Sequence, residues 1–325
     1  MLFASIPMHI PDGFLSIPVS LVMWIISLVV IGVAVRRVGR ELGERQVPLM
    51  GVLAAAIFAG QMLNFTVAGG TSGHLMGAAI ATILLGPWAA VLVLTTVVGV
   101  QALIFQDGGL IALGANIFNM GVIGVAVSYF VYQTVRKIAG GRTWGIFTGG
   151  FLAAWFSIVI ASLAVALELA LSGTSPANIA VPTMAGIHAL IGIGEGLITL
   201  GALSFIYASR RDLLTSGQSD TANNLSVWVG GLVIAISLAV LAPLASSQPD
   251  GLEWVAEQRG FLDLAQNPVY NVIPDYIFPG VSNEALATII AGIIGALLVF
   301  VVAVGLSFSR RARNEKGLNA QDDAD

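Results

Sequence analysis

The chain has 325 residues, of which 57% are apolar and only 10% are charged, and its mean hydropathy is +0.90. Soluble domains carry about 25% charged residues, so this composition excludes a soluble protein and predicts an all-α protein that crosses a membrane several times. The net charge is only -4, and the absence of cysteine excludes disulfide bonds, thiolate metal sites and thiol nucleophiles. The first sixteen residues lack a basic segment and a long apolar core, so we do not expect a signal peptide.

Apolar runs of membrane length predict transmembrane helices, since about 20 apolar residues cross the hydrocarbon core. One run, Leu75–Phe105, is too long for a single span, and Gly86-Pro87 breaks it near its middle. We expect this run to form two shortened helices. The other predicted spans are Pro18–Val35, Pro48–Ala68, Leu110–Thr134, Trp144–Leu171, Pro182–Tyr207, Leu225–Ala245 and Ala285–Phe308.

Basic residues predict the orientation in the membrane, because cytoplasmic loops carry an excess of Lys and Arg. All of the 14 basic residues except Arg259 fall in four groups that follow predicted spans. Placing these groups in the cytoplasm puts the N-terminus outside, together with the loops Gly69–Gly73 and Gln106–Gly109, and the C-terminus inside. The groups are Arg36, Arg37, Arg40 and Arg45; Arg136, Lys137 and Arg142; Arg210 and Arg211; and Arg310, Arg311, Arg313 and Lys316.

The motif Met8-His9-Ile10-Pro11-Asp12-Gly13 predicts a metal site at the external face. A chain that begins Met-His offers three nitrogens: the terminal amine, the second amide and the imidazole. His74, in a loop predicted on the same face, can supply a fourth, and four nitrogens in a plane suit Ni(II) or Cu(II) better than Zn or Mg. The amine ligand requires a chain that starts at Met8, which we expect. Alternatively, His9 is an interfacial residue and His74 a polar group near a helix start.

His188 and Glu195 lie seven residues apart in a predicted span and share a helix face. Ionisable residues inside a membrane are candidates for function, so a proton relay or an inner metal relay is one interpretation. The interpretation that we favour is a hydrogen-bonded pair that fixes helix packing. Gly192 and Gly196, on the same helix, are expected to permit close helix approach, and Glu168 is expected to be interfacial.

Six ordered motifs stand out between residues 8 and 207. They are Met-His-Ile-Pro-Asp-Gly at 8–13, Gly-Gly-Thr-Ser-Gly-His-Leu-Met-Gly at 69–77, Leu-Leu-Gly-Pro-Trp at 84–88, Gln-Asp-Gly-Gly-Leu at 106–110, Ala-Leu-Gly-Ala-Asn at 112–116 and Gly-Ile-His-Ala-Leu-Ile-Gly-Ile-Gly-Glu-Gly at 186–196. Together they resemble the substrate-capture component of energy-coupling factor transporters for cobalt and nickel, of the CbiM/NikM type. With Pro-Asp-Gly-Leu-Glu at 249–253, two spans and an external loop, residues 225–308 resemble the companion subunit of these systems. The chain therefore resembles a fusion of the two components.

The resemblance implies a division of the chain and a ligand set. The parts are a seven-helix capture region at 8–211, a cytoplasmic linker at 212–224, a two-helix region with an external loop at 225–309 and a cytoplasmic tail at 310–325. The implied metal ligands are the amine of Met8, the amide and imidazole of His9 and the imidazole of His74, with His188 and Glu195 as secondary candidates. Leu2–Pro7 depart from the family pattern. Either translation starts at Met8, which we favour, or the extension is removed, or the protein binds the metal differently.

The function implied by the resemblance is that of a substrate-specific component of an ATP-driven metal importer in the cell membrane, and not an enzyme. Ni2+, favoured over Co2+, is the transported substrate, and no resident cofactor is expected. The implied partners are a transmembrane coupling subunit and cytoplasmic ATPase subunits, within a lipid bilayer and without nucleic acid. The alternatives are a proton-coupled secondary metal transporter that uses Glu168, His188 and Glu195, and a membrane metal sensor or scaffold without transport.

Overall fold

A computed structural model describes residues 8–41, 46–214 and 224–322. Within these ranges seven helices are long and apolar enough to cross a membrane, which confirms the all-α polytopic fold. Expectations about Leu2–Pro7, about residues 215–223 of the linker and about the last three residues lie outside the described ranges. The seven helices are Ile17–Val38, Pro87–Phe105, Leu113–Ile138, Trp144–Leu171, Ala177–Ser209, Val227–Leu244 and Glu284–Leu306.

Two π-helical segments interrupt the regular helices, and both lie near the site described below. Gln101–Phe105 extends the fourth helix, and Ile117–Ile123 joins the fifth to the sixth. The elements in chain order are α1 (Ile17–Glu41), α2 (Gln46–Gln61), β1 (Phe65–Val67), β2 (Thr71–Gly73), α3 (Ala78–Leu85), α4 (Pro87–Val100), α5 (Leu113–Asn116), α6 (Gly124–Ile138), α7 (Trp144–Leu171), α8 (Ala177–Ser209), α9 (Asn224–Leu241), α10 (Gly251–Arg259) and α11 (Glu284–Asp322).

The predicted span Pro48–Ala68 is wrong in its last third. Helix α2 ends at Gln61, and β1 then pairs antiparallel with β2. The turn between the strands places Gly69 and Gly70 at φ values of 86° and 79°, which glycine adopts without steric cost. Hydropathy could not separate helix from hairpin here, because the aromatic and β-branched residues that favour strands also extend the apolar run. The hairpin delivers His74 immediately after β2.

The break at Gly86-Pro87 lies where it is predicted, but it divides the run unequally. Helix α3 ends at Leu85 with Gly86 at φ 80°, and Pro87 begins α4. With eight residues, α3 is about 12 Å long and cannot cross a hydrocarbon core of about 30 Å. Helix α4 and its π-helical extension together reach 19 residues and are mostly buried. The π-helical end of α4 therefore lies in the interior of the helical body.

Small residues set the close helix contacts. Gly192 of α8 lies against Trp155 of α7, and a Cβ at Gly192 would come 3.0 Å from the indole Cδ1. This close approach is predicted from the sequence. Gly231 of α9 similarly lies against Val52 of α2, and α11 also packs on α2. The second half of the chain therefore packs directly on the first.

Candidate metal centre

The segment Met8–Gly13 folds back into the helical body. His9 and Ile10 are 4% and 3% exposed. The amide of Ile10 donates to Asn116 Oδ1 at 3.0 Å, and Asn116 Nδ2 donates to the carbonyl of Ile10 at 3.1 Å. The amide of Gly109 donates to the same carbonyl at 3.0 Å. These main-chain bonds fix the position of His9 independently of its side chain.

Asp12 anchors the other end of this segment. Its carboxylate accepts from the amides of Leu110, Ile111 and Ala112 at 3.1, 2.8 and 2.9 Å. These amides lie just before α5, where main-chain donors have no partner within the helix. The carbonyl of Asp12 also accepts from the amide of Gln266 at 2.8 Å, so the loop of the second half closes over the segment.

A chain of side-chain amides determines whether Nε2 of His9 donates or accepts its hydrogen bond. Its Nε2 lies 3.0 Å from Gln101 Oε1, while Gln101 Nε2 donates to Gln61 Oε1 at 2.8 Å. Gln61 Nε2 donates in turn to the carbonyl of Met76 at 3.0 Å. Because a carbonyl can only accept, each amide in this chain is oriented by the next, and Gln101 presents its oxygen to His9. Nε2 of His9 therefore donates to Gln101, and in a neutral imidazole Nδ1 keeps the lone pair.

Asp107 accepts the main-chain amide of His9. The distance from His9 N to Asp107 Oδ1 is 3.3 Å, and the hydroxyl of Tyr276 donates to Asp107 Oδ2 at 2.6 Å. Burial raises the pKa of the Tyr276 phenol, and the negative charge of Asp107 raises it further, so Tyr276 is a proton donor at neutral pH. A carboxylate thus lies beside the main-chain amide of His9, which would lose its proton if its nitrogen bound a metal ion.

His74 lies directly opposite His9. The two ring centroids are 5.5 Å apart with an interplanar angle of 35°, and His74 Nδ1 lies 3.3 Å from Asp250 Oδ2. Burial lowers the pKa of His74, but the hydrogen bond and charge of Asp250, followed by the charges of Asp107 and Glu195, outweigh it and raise this pKa above the ordinary imidazole value. The site is therefore electronegative and suits a cation.

A cavity of about 100 Å³ lies between these groups, and its walls include Met8, His9, His74, His188 and Asp250. No group of three or more His, Asp or Glu side chains within the described ranges is placed to hold a metal ion. Side chains alone therefore do not complete a metal site here. A site in this cavity needs main-chain nitrogen as well, which is what the Met-His motif predicts.

The predicted hydrogen bond between His188 and Glu195 is wrong. His188 Nδ1 donates to the carbonyl of Met184 at 2.8 Å, and Glu195 accepts from the amides of Met76 and Gly77 at 2.8 and 3.0 Å. Seven residues of helix separate two side chains by about 10 Å along the axis, which is too far for a direct bond. His188 reaches the cavity, whereas Glu195 fixes the start of α3.

Glu168 is not interfacial, contrary to expectation. It is 3% exposed, and its Oε2 accepts from Asn119 Nδ2 at 2.8 Å. The sequence position near the end of a predicted span suggested contact with the membrane surface. Packing of α7 against the π-helical segment Ile117–Ile123 buries it instead, and it does not line the cavity.

Five residues that organise the site carry no individual role in the sequence analysis: Gln61, Gln101, Asp107, Asp250 and Tyr276. Asp107 and Asp250 fall inside the motifs at 106–110 and 249–253, so the motifs contained a signal for them. The two glutamines are isolated polar residues within apolar runs. Such residues are expensive to bury without partners, and this cost is the signal that could have identified them. Nothing local distinguishes Tyr276.

Comparison with known proteins confirms the resemblance. Residues 9–213 match the family described as CbiM, cobalt uptake substrate-specific transmembrane region, and residues 225–312 match the PDGLE domain. A protein of Archaeoglobus fulgidus named putative fused nickel transport protein NikMN is 39% identical over 94% of this chain and 99% of its own length. The fused nickel transport protein NikMN of Rhodobacter capsulatus is 31% identical over 94% of this chain and 98% of its own length.

A solved structure is also similar. The crystal structure of a truncated transition metal transporter matches with a TM-score of 0.56 and 34% identity, covering 62% of this chain and 98% of that one. These relatives are named as metal transport components and not as enzymes. The chain is a multi-pass membrane protein that belongs to the CbiM family of cobalt uptake substrate-specific transmembrane regions and continues into a PDGLE domain.

Proposed function

We propose that this protein is the substrate-specific component of an ATP-driven importer, and that it captures Ni(II), and less favourably Co(II), at the external face of the cell membrane. The observation that carries the proposal is the placement of His9 and His74, whose rings face each other across one cavity at 5.5 Å. The names of the relatives as nickel and cobalt transport proteins support it.

The proposed ligands are the amine of Met8, the amide nitrogen and Nδ1 of His9, and one imidazole nitrogen of His74. The amine and the amide would close a five-membered chelate ring, and the amide and Nδ1 of one histidine a six-membered ring. The bond from His9 Nε2 to Gln101 supports this set, because it leaves Nδ1 free to bind. A planar set of four nitrogens favours Ni(II), and Ni(II) generally binds such sites more tightly than Co(II) does.

We further propose an external N-terminus and a cytoplasmic C-terminus, from the distribution of basic residues. The sequence contains no Gly-x-x-x-x-Gly-Lys-Ser/Thr motif, so ATP hydrolysis is assigned to separate ATPase subunits that act through a transmembrane coupling subunit. A proton relay through Glu195 receives no support from the geometry. Both of its carboxylate oxygens accept main-chain amides that begin α3.

The test compares two forms of the protein that differ by one residue. One form begins at Met8 with a free amine, verified by intact mass, and the other carries one additional residue before Met8. We expect Ni(II) titration to show tight binding by the first form and loss of tight binding by the second, because Met8 then has an ordinary amide. Equal affinity of the two forms would remove the amine from the ligand set.

A second pair of measurements separates capture from transport. His74→Ala is expected to weaken Ni(II) binding without blocking membrane insertion. Nickel accumulation by cells that express the chain with its coupling and ATPase subunits is expected to require ATPase activity. Accumulation that persists in an ATPase-deficient strain would favour the secondary transporter, and the absence of any accumulation would favour a sensor or scaffold.

A further inference from the structure

Asp250 uses its two carboxylate oxygens for different purposes. Oδ1 accepts from the amides of Leu252 and Glu253 at 3.0 and 3.1 Å and so caps the start of α10. Oδ2 points away from α10 and lies 3.3 Å from His74 Nδ1. The Asp250 and His74 side chains are 7% and 16% exposed. The second oxygen therefore faces His74 in a largely buried environment.

The cap alone does not explain an aspartate at this position. Serine, threonine and asparagine cap helix starts about as well, through one acceptor atom. A buried carboxylate also carries a desolvation cost, which the two amide bonds to Oδ1 offset in part and a partner for Oδ2 offsets further. His74 is the partner that the geometry provides.

Main-chain contacts hold Asp250 against the hairpin. The carbonyl of Pro249 accepts from the amide of Ser72 at 2.8 Å and from Thr71 Oγ1 at 3.0 Å. On the other side, a Cβ at Gly251 would come 2.9 Å from Cε1 of His188. The chain around Asp250 is thus clamped between β2 and α8, so the distance to His74 is determined by backbone contacts.

We propose that Asp250 is a positioning residue for the ion site, which holds His74 in the Nδ1–H tautomer and leaves its Nε2 lone pair for the ion. Metal-binding histidines usually donate their second ring nitrogen to a carboxylate or carbonyl that fixes tautomer and orientation. His74 lines the cavity, and its Nδ1 is the ring nitrogen that lies 3.3 Å from Asp250 Oδ2. The PDGLE domain therefore completes a site whose ligands all come from the first half of the chain.

The proposal sets the two imidazoles in opposite tautomers. Gln101 accepts from Nε2 of His9 and frees Nδ1. Asp250 Oδ2 lies 3.3 Å from Nδ1 of His74, and in the proposal it accepts the proton of Nδ1 and frees Nε2. Nδ1 is the nitrogen that His9 needs for a chelate ring with its own amide. Nε2 is the nitrogen through which a histidine on a separate loop reaches furthest. The assignment rests on the proposed function for the identity of the ion, but not for the tautomer itself.

Two substitutions separate the cap from the contact with His74. Asp250→Asn keeps an acceptor for the cap, but its amide group faces His74 Nδ1 as a donor and should turn the ring into the Nε2–H tautomer. Asp250→Ser keeps the cap and removes the second oxygen. Glu253→Gln is the matched control. Glu253 Oε2 accepts from the amide of Asp250 at 3.4 Å, glutamine keeps an acceptor for this amide, and Asp250 is unchanged.

The first readout needs no metal. The chain has three histidines, so a full-length protein with 15N-labelled histidine gives few imidazole resonances, and His74→Gln assigns those of His74. At a pH above the titration of His74, we expect a protonated Nδ1 in the wild type and in Glu253→Gln, and a protonated Nε2 in Asp250→Asn. A protonated Nε2 in the wild type, or no change in Asp250→Asn, would overturn the proposal. Unchanged resonances of His9 and His188 verify the fold of each variant.

The second readout is Ni(II) affinity of the form that begins at Met8. Loss of a partner that orients a metal ligand typically costs about 10- to 100-fold in affinity, and we expect this loss in both Asp250 variants and less than about 2-fold change in Glu253→Gln. If His74→Ala binds Ni(II) like the wild type, the ligand set of the proposed function fails. If His74→Ala loses affinity while both Asp250 variants keep it, only the role of Asp250 is refuted.

Discussion

The hydrogen bond from His9 to Gln101 gives a quantitative prediction. Gln101→Leu removes the acceptor for His9 Nε2, which lies 3.0 Å away, and also the donor to Gln61 Oε1 at 2.8 Å. His9, Gln61 and Gln101 are each at most 4% exposed, so water cannot easily replace either bond. Each buried polar group left without a partner costs about 1–3 kcal/mol.

The cost is divided between stability and affinity. Gln61 Oε1, which loses its donor, destabilises the fold whether or not the ion is bound. The imidazole of His9 can rotate in the ion-free protein to recover a partner, and ion binding must then reverse that rotation. A penalty of about 1–3 kcal/mol corresponds to a Ni(II) affinity about 5- to 150-fold weaker.

The assay is Ni(II) titration of the form that begins at Met8, together with thermal unfolding without metal. Gln61→Leu is the companion variant, because it keeps Gln101 as a possible partner of His9 but removes the acceptor that orients the Gln101 amide. We expect both variants to unfold at lower temperature, Gln101→Leu to lose affinity by this amount and Gln61→Leu to lose less. Equal affinity of Gln101→Leu and the wild type would show that Gln101 does not orient the ligand.

Three further predictions concern the support of the site. Tyr276→Phe removes the 2.6 Å bond to Asp107 and should destabilise the fold by about 1.5–3 kcal/mol, the range for hydrogen bonds to charged groups, in chemical unfolding. Gly231→Leu collides with Val52, so it should loosen α9 from α2 and expose the PDGLE domain to limited proteolysis. Burial and the charge of Asp250 raise the pKa of Glu253 from 4.5 to about 7. The folded state therefore binds this proton more tightly, and stability should rise as pH falls from about 7 to 4.5; Glu253→Gln should flatten this dependence in melting temperatures.

Much of the membrane architecture follows from hydropathy and helix-breaking residues. Long runs such as Trp144–Leu171 coincide with a helix of the same bounds, because this run contains no proline and its glycines do not end a helix held by packing. The hairpin at residues 65–73 could not be predicted in this way. Its existence depends on contacts with distant parts of the chain, such as the bond from Ser72 to Pro249, which no local pattern records.

The candidate site, too, is predicted from the sequence only in part. The arginine distribution predicts only that His9 and His74 lie on one membrane face, since sidedness is a global property of topology. Their joint role at one site is implied by the family resemblance. The partners of the two histidines are not predicted, because Gln101 and Asp250 are distant in sequence from His9 and His74. Spacing along one helix also misled at His188 and Glu195, where a shared face was taken for contact although two helical turns separate them.

Contacts from both halves of the chain support the two histidines of the proposed site. His9 is fixed by Asn116 and Gln101, which lie on α5 and on the π-helical end of α4. His74 follows a hairpin whose strand β2 bonds to Pro249 of the second half. The distance between the two imidazoles therefore depends on two sets of contacts, one that holds His9 and one that holds His74. Because chelation tolerates little displacement of its donors, Gly231→Leu should weaken Ni(II) binding as well as loosen the helices, although it changes no group within the cavity. Unaltered affinity in that variant, with α9 shown to be detached, would mean that the first half holds both histidines without help.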